Sequence, residues 1–177
     1  MQTLHFERNA DMDMLDMAGH LIRRLHQQST HLFVQRTLAA GFDLTPVQFA
    51  ALETIFTHTA TDQAFVAEMI GYDRAKIGGV IDRLEKKGWI RRVVSERDRR
   101  ARELTLTDTG NHVRCALLPI VEDLQKEILR PLSEAERECF INFAIRVVWQ
   151  GEAPDANGSK NAVRLETATG SVGLASQ

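Results

Sequence analysis

Apolar residues recur at helical spacing along most of this chain, and one short region breaks the period. Over residues 13–40 the stripe is Met14, Ala18, Leu21, Leu25 and Leu32, with Ile22 and Phe33 beside it, which predicts one long helix ended by Gly41. It is longer than the usual globular helix of about 11–12 residues. So much apolar surface on a first helix is more easily buried by a second subunit than by this chain alone. Thr45-Pro46-Val47-Gln48 then spells a capping box with proline at the first helical position, opening a helix that carries Val47, Phe49, Leu52, Ile55 and Phe56 toward the core. Thr61 or Asp62 caps a short helix ending at Gly71. Asp73 is a suitable N-cap for the next, where Ile77, Val80, Ile81 and Leu84 recur before Gly88 closes it.

The period then changes. Residues 89–94 and 103–106 are rich in β-branched residues and predict two strands, joined by a 95–102 loop too polar to bury. Thr107-Asp108 caps another long helix with the stripe Val113, Leu117, Ile120, Leu124 and Ile128; Pro119 is expected to kink it and Pro131 to stop it. Ser133 to Glu136 forms a second capping box, opening a last helix with Phe140, Phe143, Ala144 and Val147 inward. A helix, then a short basic hairpin, then a helix is how a winged helix-turn-helix meets DNA. The expected fold is therefore mainly α with a small β-hairpin wing. Residues 43–107 make the winged helix-turn-helix lobe, and 13–42 with 108–148 a helical dimerisation lobe. Residues 1–12 are expected to be flexible. Residues 149–177, largely Gly, Ala, Ser, Thr and Asn without aromatics after Trp149, are expected to be a disordered tail.

Charge sharpens this reading. The whole chain carries only −2, with a pI near 6.3, which argues against indiscriminate coating of nucleic acid. Yet residues 83–102 hold nine basic and three acidic residues, leaving the remainder strongly acidic. An acidic body with one basic strip favours an oriented electrostatic contact over a merely solvated charged face.

The order helix, helix, helix-turn-helix, wing, helix, helix resembles the MarR family of bacterial transcription regulators. The most specific match is the wing signature D-x-R-x-x-x-L-x-L-T, present as Asp98, Arg100, Leu104, Leu106 and Thr107. Asp82-Arg83-Leu84-Glu85 followed by Gly88 is also similar to the family's recognition helix. The spelling from Asp73 to Gly79, and L-L-P with L-x-P-L-S between residues 117 and 133, is similar to members that control aromatic-compound catabolism. The resemblance covers roughly residues 13–148. It implies a homodimer on a pseudo-palindromic operator of double-stranded DNA, acting as a repressor. It also implies a small aromatic carboxylate or phenolic effector, bound between the dimer helices and the DNA-binding lobe, that releases the DNA.

Beside the resemblance stands the chemistry of the residues. Off the apolar stripe of the helix after Asp73 lie Arg74, Ala75, Lys76, Gly78, Gly79, Asp82 and Arg83. Arg74 and Lys76 are placed to reach base edges or phosphates in a major groove. Gly78 and Gly79 each cost about 0.8–1 kcal/mol relative to alanine in a helix. Close approach to DNA or close packing against another helix would explain them. Asp82, on a basic face, is placed to hold Arg83 or Lys86. At the hairpin tip Arg97, Arg99 and Arg100 are expected at a minor groove, with Asp98 shaping the wing by pairing with an arginine. For Arg91, Arg92 and Arg102, phosphate contact and plain solvation are equally open.

For the effector, His20, Arg24 and His31 share a ridge of the first helix, with Gln48, Phe49 and Phe65 as neighbours. Arg24 is suited to a bidentate carboxylate contact. A solvated or interfacial ridge is the competing explanation. His26 and His31, five apart, miss the i, i+4 geometry for two metal ligands on one face, and no metal or cofactor is expected. Cys115 and Cys139 have no CxxC or zinc-finger spacing and read as two buried structural thiols in a reducing cytoplasm. A redox-responsive regulator of the same fold, or a winged-helix module that binds protein, are the alternatives. No apolar run approaches the ~20 residues of a membrane span. No catalytic triad, P-loop or dinucleotide fingerprint points to an enzyme.

Overall fold

The computed structural model describes residues 14–58, 61–94, 102–149, 152–154 and 160–162. The chain divides into two compact units, Met1–Arg130 and Pro131–Gln177.

In the first unit a single 3-10 turn, Met14–Asp16, precedes α1 (Ala18–Ala39), and α2 (Pro46–Thr57), α3 (Gln63–Met69) and α4 (Ile77–Lys86) follow. Strands β1 (Ile90–Val94) and β2 (Arg102–Leu106) and the long α5 (Asp108–Ile128) complete it. The caps explain most of the boundaries. Thr45 and Gln48 close a reciprocal capping box, with Gln48 N–H donating to Thr45 Oγ1 and Thr45 N–H to Gln48 Oε1. Of the two candidates for α3, Asp62 is the cap, accepting from Phe65 N at 2.7 Å. Thr61 instead bridges to the hairpin, where Leu104 N donates to its carbonyl. Thr107 caps α5 through Gly110 N and also donates its hydroxyl to Gly88 O, tying the start of α5 to the end of α4.

The core lies where α2, α3, α4, α5 and the hairpin converge. Leu52, Val66, Ile77, Ile81, Leu84, Ile90, Leu117 and Leu124 are fully or almost fully buried there. The hairpin is antiparallel with Ile90 opposite Leu106 and Arg92 opposite Leu104. α1 packs on α5, and in its C-terminal half Phe33 and Thr37 are buried and Arg36 meets Glu127 at 2.5 Å. Its N-terminal half leaves Leu21 and Ile22 exposed, Ile22 by 61%, as are Met14 and Met17 just before it. α5 runs unbroken through Pro119.

The second unit contains α6 (Glu134–Trp149) and two short antiparallel strands, β3 (Glu152–Pro154) and β4 (Lys160–Ala162). The expected tail, 149–177, otherwise lies outside the described residues, as does the expected flexible segment at 1–12.

Several side chains do not lie where the apolar pattern put them. Phe56, expected in the core, is half exposed; its ring lies under the Arg114 guanidinium, 3.6 Å from the ring centroid. α6 buries no residue in this single chain, and Phe140, Phe143 and Val147 are exposed; only Ala144 of the four expected inward is half-buried. Cys115 and Cys139, expected buried, are both exposed thiols.

Candidate nucleic-acid interface

The turn-and-helix segment from Gly71 to Gly88 is bounded by two glycines with positive φ, 62° and 71°. Each allows a Schellman closure: Tyr72 N donates to Ala67 O at 2.8 Å, and Trp89 N to Leu84 O at 3.1 Å. Asp73 does not start α4 directly. Its carboxylate accepts from Ala75 N at 2.7 Å, and the Lys76 and Ile77 amides both fold back onto its carbonyl at 3.0 Å. The helix proper therefore begins at Ile77, and Arg74, Ala75 and Lys76 form the turn leading into it.

α4 buries Ile77, Val80, Ile81 and Leu84 and leaves the opposite face open. Arg74, Ala75, Lys76, Gly79 and Arg83 are exposed and Gly78 half-exposed, so all six candidates described on this segment are accessible. A Cβ on Gly78 would touch nothing within 4 Å, and one on Gly79 would meet only the tip of Arg83 at 4.0 Å. Among the described residues no neighbouring helix packs on these glycines. Arg97, Asp98, Arg99 and Arg100, the wing-tip candidates, lie outside the described residues.

The acidic residues on this face are engaged. Asp82, expected beside Arg83 or Lys86, instead takes Arg92 of β1 at 2.6 Å, and Glu85 takes the other Nη of the same guanidinium. The Asp82 hydrogen bond, helped by Glu85 and partly opposed by burial, raises Arg92 above its ordinary value. Arg92 is thus a cross-link between helix and wing, neither a solvated side chain nor one free for phosphate. Its neighbour Arg91 points to the other side of the hairpin, where Nε donates to Thr105 Oγ1. Arg74 pairs with Glu68 at 2.9 Å. Lys87 reaches back to Asp43, its ammonium 4.8 Å from the Trp89 ring centroid.

The effector candidates are spread out. Gln48 is buried and spent on its capping box. Phe49 is in the core, 6.0 Å from the Phe33 ring, and Phe65 stands edge-on to His58 at 5.1 Å. Arg24 is exposed, while His20 is half-buried with its Nε2 lacking a hydrogen-bond partner. His31 lines an open concavity of about 380 Å³ with His26, Gln27, Thr30 and Val34, which none of the other five candidates lines.

Three features were missed by sequence reasoning. Glu53 pairs with Arg114, accepting a hydrogen bond from Nη2 at 3.0 Å with Nε 2.9 Å from its other oxygen, joining α2 to α5 with Arg114 only 12% exposed. Gly110 lies so close to Trp89 that a Cβ would fall 1.9 Å from its carbonyl oxygen. Glu68 holds Arg74 across the turn. The first and third pairs are 61 and six residues apart, and no periodicity couples them.

A model of the MarR family matches residues 44–101, the segment that carries α2 to the first strand of the hairpin. The chain is 30% identical over 137 residues to the transcriptional regulator HosA of Escherichia coli, covering 77% of this chain and 98% of that one. It is 28% identical over 140 residues to the transcriptional repressor NicR of Pseudomonas putida, covering 79% and 87%. Its structure superposes with a TM-score of 0.72 on that of Bordetella bronchiseptica BpsR, whose DNA binding is regulated by 6-hydroxynicotinic acid. That match has 25% identity and covers 78% of this chain and 97% of BpsR.

Proposed function

The chain belongs to the MarR family of transcription regulators, and from that premise we propose that it represses transcription as a homodimer on a pseudo-palindromic operator and is released by a small aromatic carboxylate or phenol. The observation that carries the DNA contact is the open face of α4. There Lys76, Gly78, Gly79 and Arg83 are accessible, and the carboxylates of Asp82 and Glu85 are both held by Arg92. A helix of this shape fits a major groove, where each base pair has its own donor and acceptor pattern.

The dimer reading is supported by the exposed apolar residues of α1 and α6, Leu21, Ile22, Phe140, Phe143 and Val147 among them. Two recognition helices about 34–36 Å apart would read successive turns of one DNA face. A ligand acts by binding one spacing of the helices better than another. The repressor sense and the aromatic effector rest on similarity to NicR and BpsR.

Fluorescence-anisotropy titration against DNA from upstream of the protein's own gene, with and without benzoate and hydroxybenzoates, tests the reading. Tight, salt-sensitive binding abolished by one acid supports it in full. Specific binding that no acid changes removes the effector. No sequence-preferring binding to that DNA, even at low salt, counts against self-regulation and moves the test to selection of sites across the genome.

A further inference from the structure

Arg74 is the first basic side chain of the segment proposed to enter the major groove, and it does not stand alone. Its Nη2 lies 2.9 Å from Glu68 Oε2. Glu68 belongs to α3, on the near side of the Gly71 turn, and its backbone is anchored on both sides. Its neighbours Val66 and Ala67 are fully buried, and its own carbonyl accepts from Gly71 N, while that of Ala67 accepts from Tyr72 N. The carboxylate therefore projects from a fixed point. The side chains of Arg74 and Glu68 are 70% and 60% exposed, and a pair so open to water adds little to stability.

What the pair does set is the direction of the guanidinium. A guanidinium carries five N–H donors in a rigid fork, and one bond to Glu68 leaves four. Two of those suffice for the bidentate contact with guanine O6 and N7 that arginine makes in a major groove. Asp73, next to Arg74 in the chain, accepts from Ala75 N through Oδ1. We propose that Glu68 is a positioning residue for DNA reading: by holding one edge of the Arg74 guanidinium it presents the other to a guanine in each half-site. This rests on the proposed DNA contact of the α4 segment.

The test is selection from a library of randomised DNA duplexes by the wild-type protein and by the variants E68Q, E68A, R74A and E68A/R74A. Binding preference is then read base pair by base pair. R74A is expected to flatten preference at one G·C pair in each half-site. E68A is expected to weaken preference at that same pair about tenfold, a substantial share of what a bidentate contact discriminates, while preferences elsewhere stay at the wild-type level. E68Q, which keeps an oxygen but not the charge, should fall between. The double variant should be no worse at that pair than R74A. A loss confined to one base pair is not what a general weakening of the fold would produce.

The inference is overturned if R74A flattens a position that E68A leaves intact, or if R74A flattens none. It is also overturned if E68A tightens binding to all duplexes alike, because Glu68 would then sequester Arg74 rather than aim it. A wild-type protein that selects no sequence overturns the DNA-reading premise itself, a result distinct from the other three.

Discussion

Asp82 of α4 and Arg92 of β1 meet at 2.6 Å, and Glu85, one helical turn beyond Asp82, takes the remaining arm of the same guanidinium. One arginine on the first strand of the wing thus bridges two carboxylates on the recognition helix, which fixes the angle between the two elements. Arg92→Ala is expected to lower stability by about 1–2 kcal/mol, since it strands two partly exposed carboxylates. Asp82→Asn should cost less, because Glu85 keeps its partner. In urea denaturation the double variant should be no less stable than Arg92→Ala alone. If the two losses add in full, the residues are independent and the cross-link is not a unit.

The same geometry separates Arg92 from Arg83 in DNA binding. Removing a phosphate-contacting cation reduces the dependence of log affinity on log salt by about 0.9. Arg83→Ala, at an exposed side chain on the open face, is expected to show that reduction. Arg92→Ala is expected to leave the salt slope unchanged even where it weakens binding. Titration at several salt concentrations distinguishes them, and an Arg83→Ala slope equal to that of the wild type would place Arg83 away from the phosphates.

Gly110 is required by shape. The Trp89 carbonyl accepts from Thr107 N at 3.0 Å and lies over the first turn of α5, where a Cβ on residue 110 would come within 1.9 Å of the oxygen and 2.7 Å of the carbonyl carbon. Both are backbone atoms and cannot swing aside. Gly110→Ala should therefore destabilise the protein by about 3 kcal/mol, at the upper end of ordinary overpacking, although alanine is the better helix former. A thermal melt of the variant at or above the wild-type midpoint would show that the hairpin can retreat from α5.

What was legible in the sequence, and what was not, divides along the range of the interactions. Thr45 with Gln48, Asp62 and Thr107 announce helix starts because a cap satisfies its own helix within three residues. The accessible face of α4 was legible by subtraction: once Ile77, Val80, Ile81 and Leu84 are assigned inward, Lys76, Gly79 and Arg83 are left outside. Phe56, Arg92 and Glu68 were not legible in this way. Their surroundings come from other elements, Arg114 on α5, the helix beneath the wing, and the turn after α3. Even where the residue type is suggestive, as with the acidic Asp82 on a basic face, the partner was misjudged because β1 lies closer than the next turn of the same helix. The exposed stripe of α6 shows a different limit. Periodicity reports that a face is apolar but not which surface covers it.

At the start of α6, Ser133 directs two donors at one carboxylate: its hydroxyl lies 2.7 Å, and its amide 2.8 Å, from Glu136 Oε2. The hydroxyl bond and then the amide bond hold the Glu136 pKa below its ordinary value, weakly opposed by burial. Because the folded value is the lower one, the stabilisation is fully present above the unfolded glutamate pKa of about 4.3. It is lost as pH falls through the folded value. The Ser133 amide resonance should titrate with a midpoint below that of a free glutamate, and Glu136→Gln should abolish the step. A midpoint at or above the free value would mean the carboxylate is not held by Ser133 in solution.

Gly78 and Gly79 set stability against function in the first turn of α4. Neither is needed for packing, since an added methyl on Gly78 would meet open space and one on Gly79 only the flexible end of Arg83. Neither needs a positive φ, which among the described glycines occurs at Gly41, Gly71 and Gly88. Alanine at either site should therefore stabilise the protein, by about 0.5–1 kcal/mol, through the lower entropy of the unfolded chain and better helix propensity. If the glycines are kept so that the helix backbone can approach DNA, the same substitutions should weaken operator binding, because a methyl on the open face holds the helix off the base edges. Paired thermal melts and anisotropy titrations of Gly78→Ala and Gly79→Ala decide the matter. A higher melting temperature with weaker binding supports close approach to DNA. A higher melting temperature with undiminished binding would mean the open face of α4 does not meet DNA at its glycines, and would shift the contact to Arg74, Lys76 and Arg83 alone.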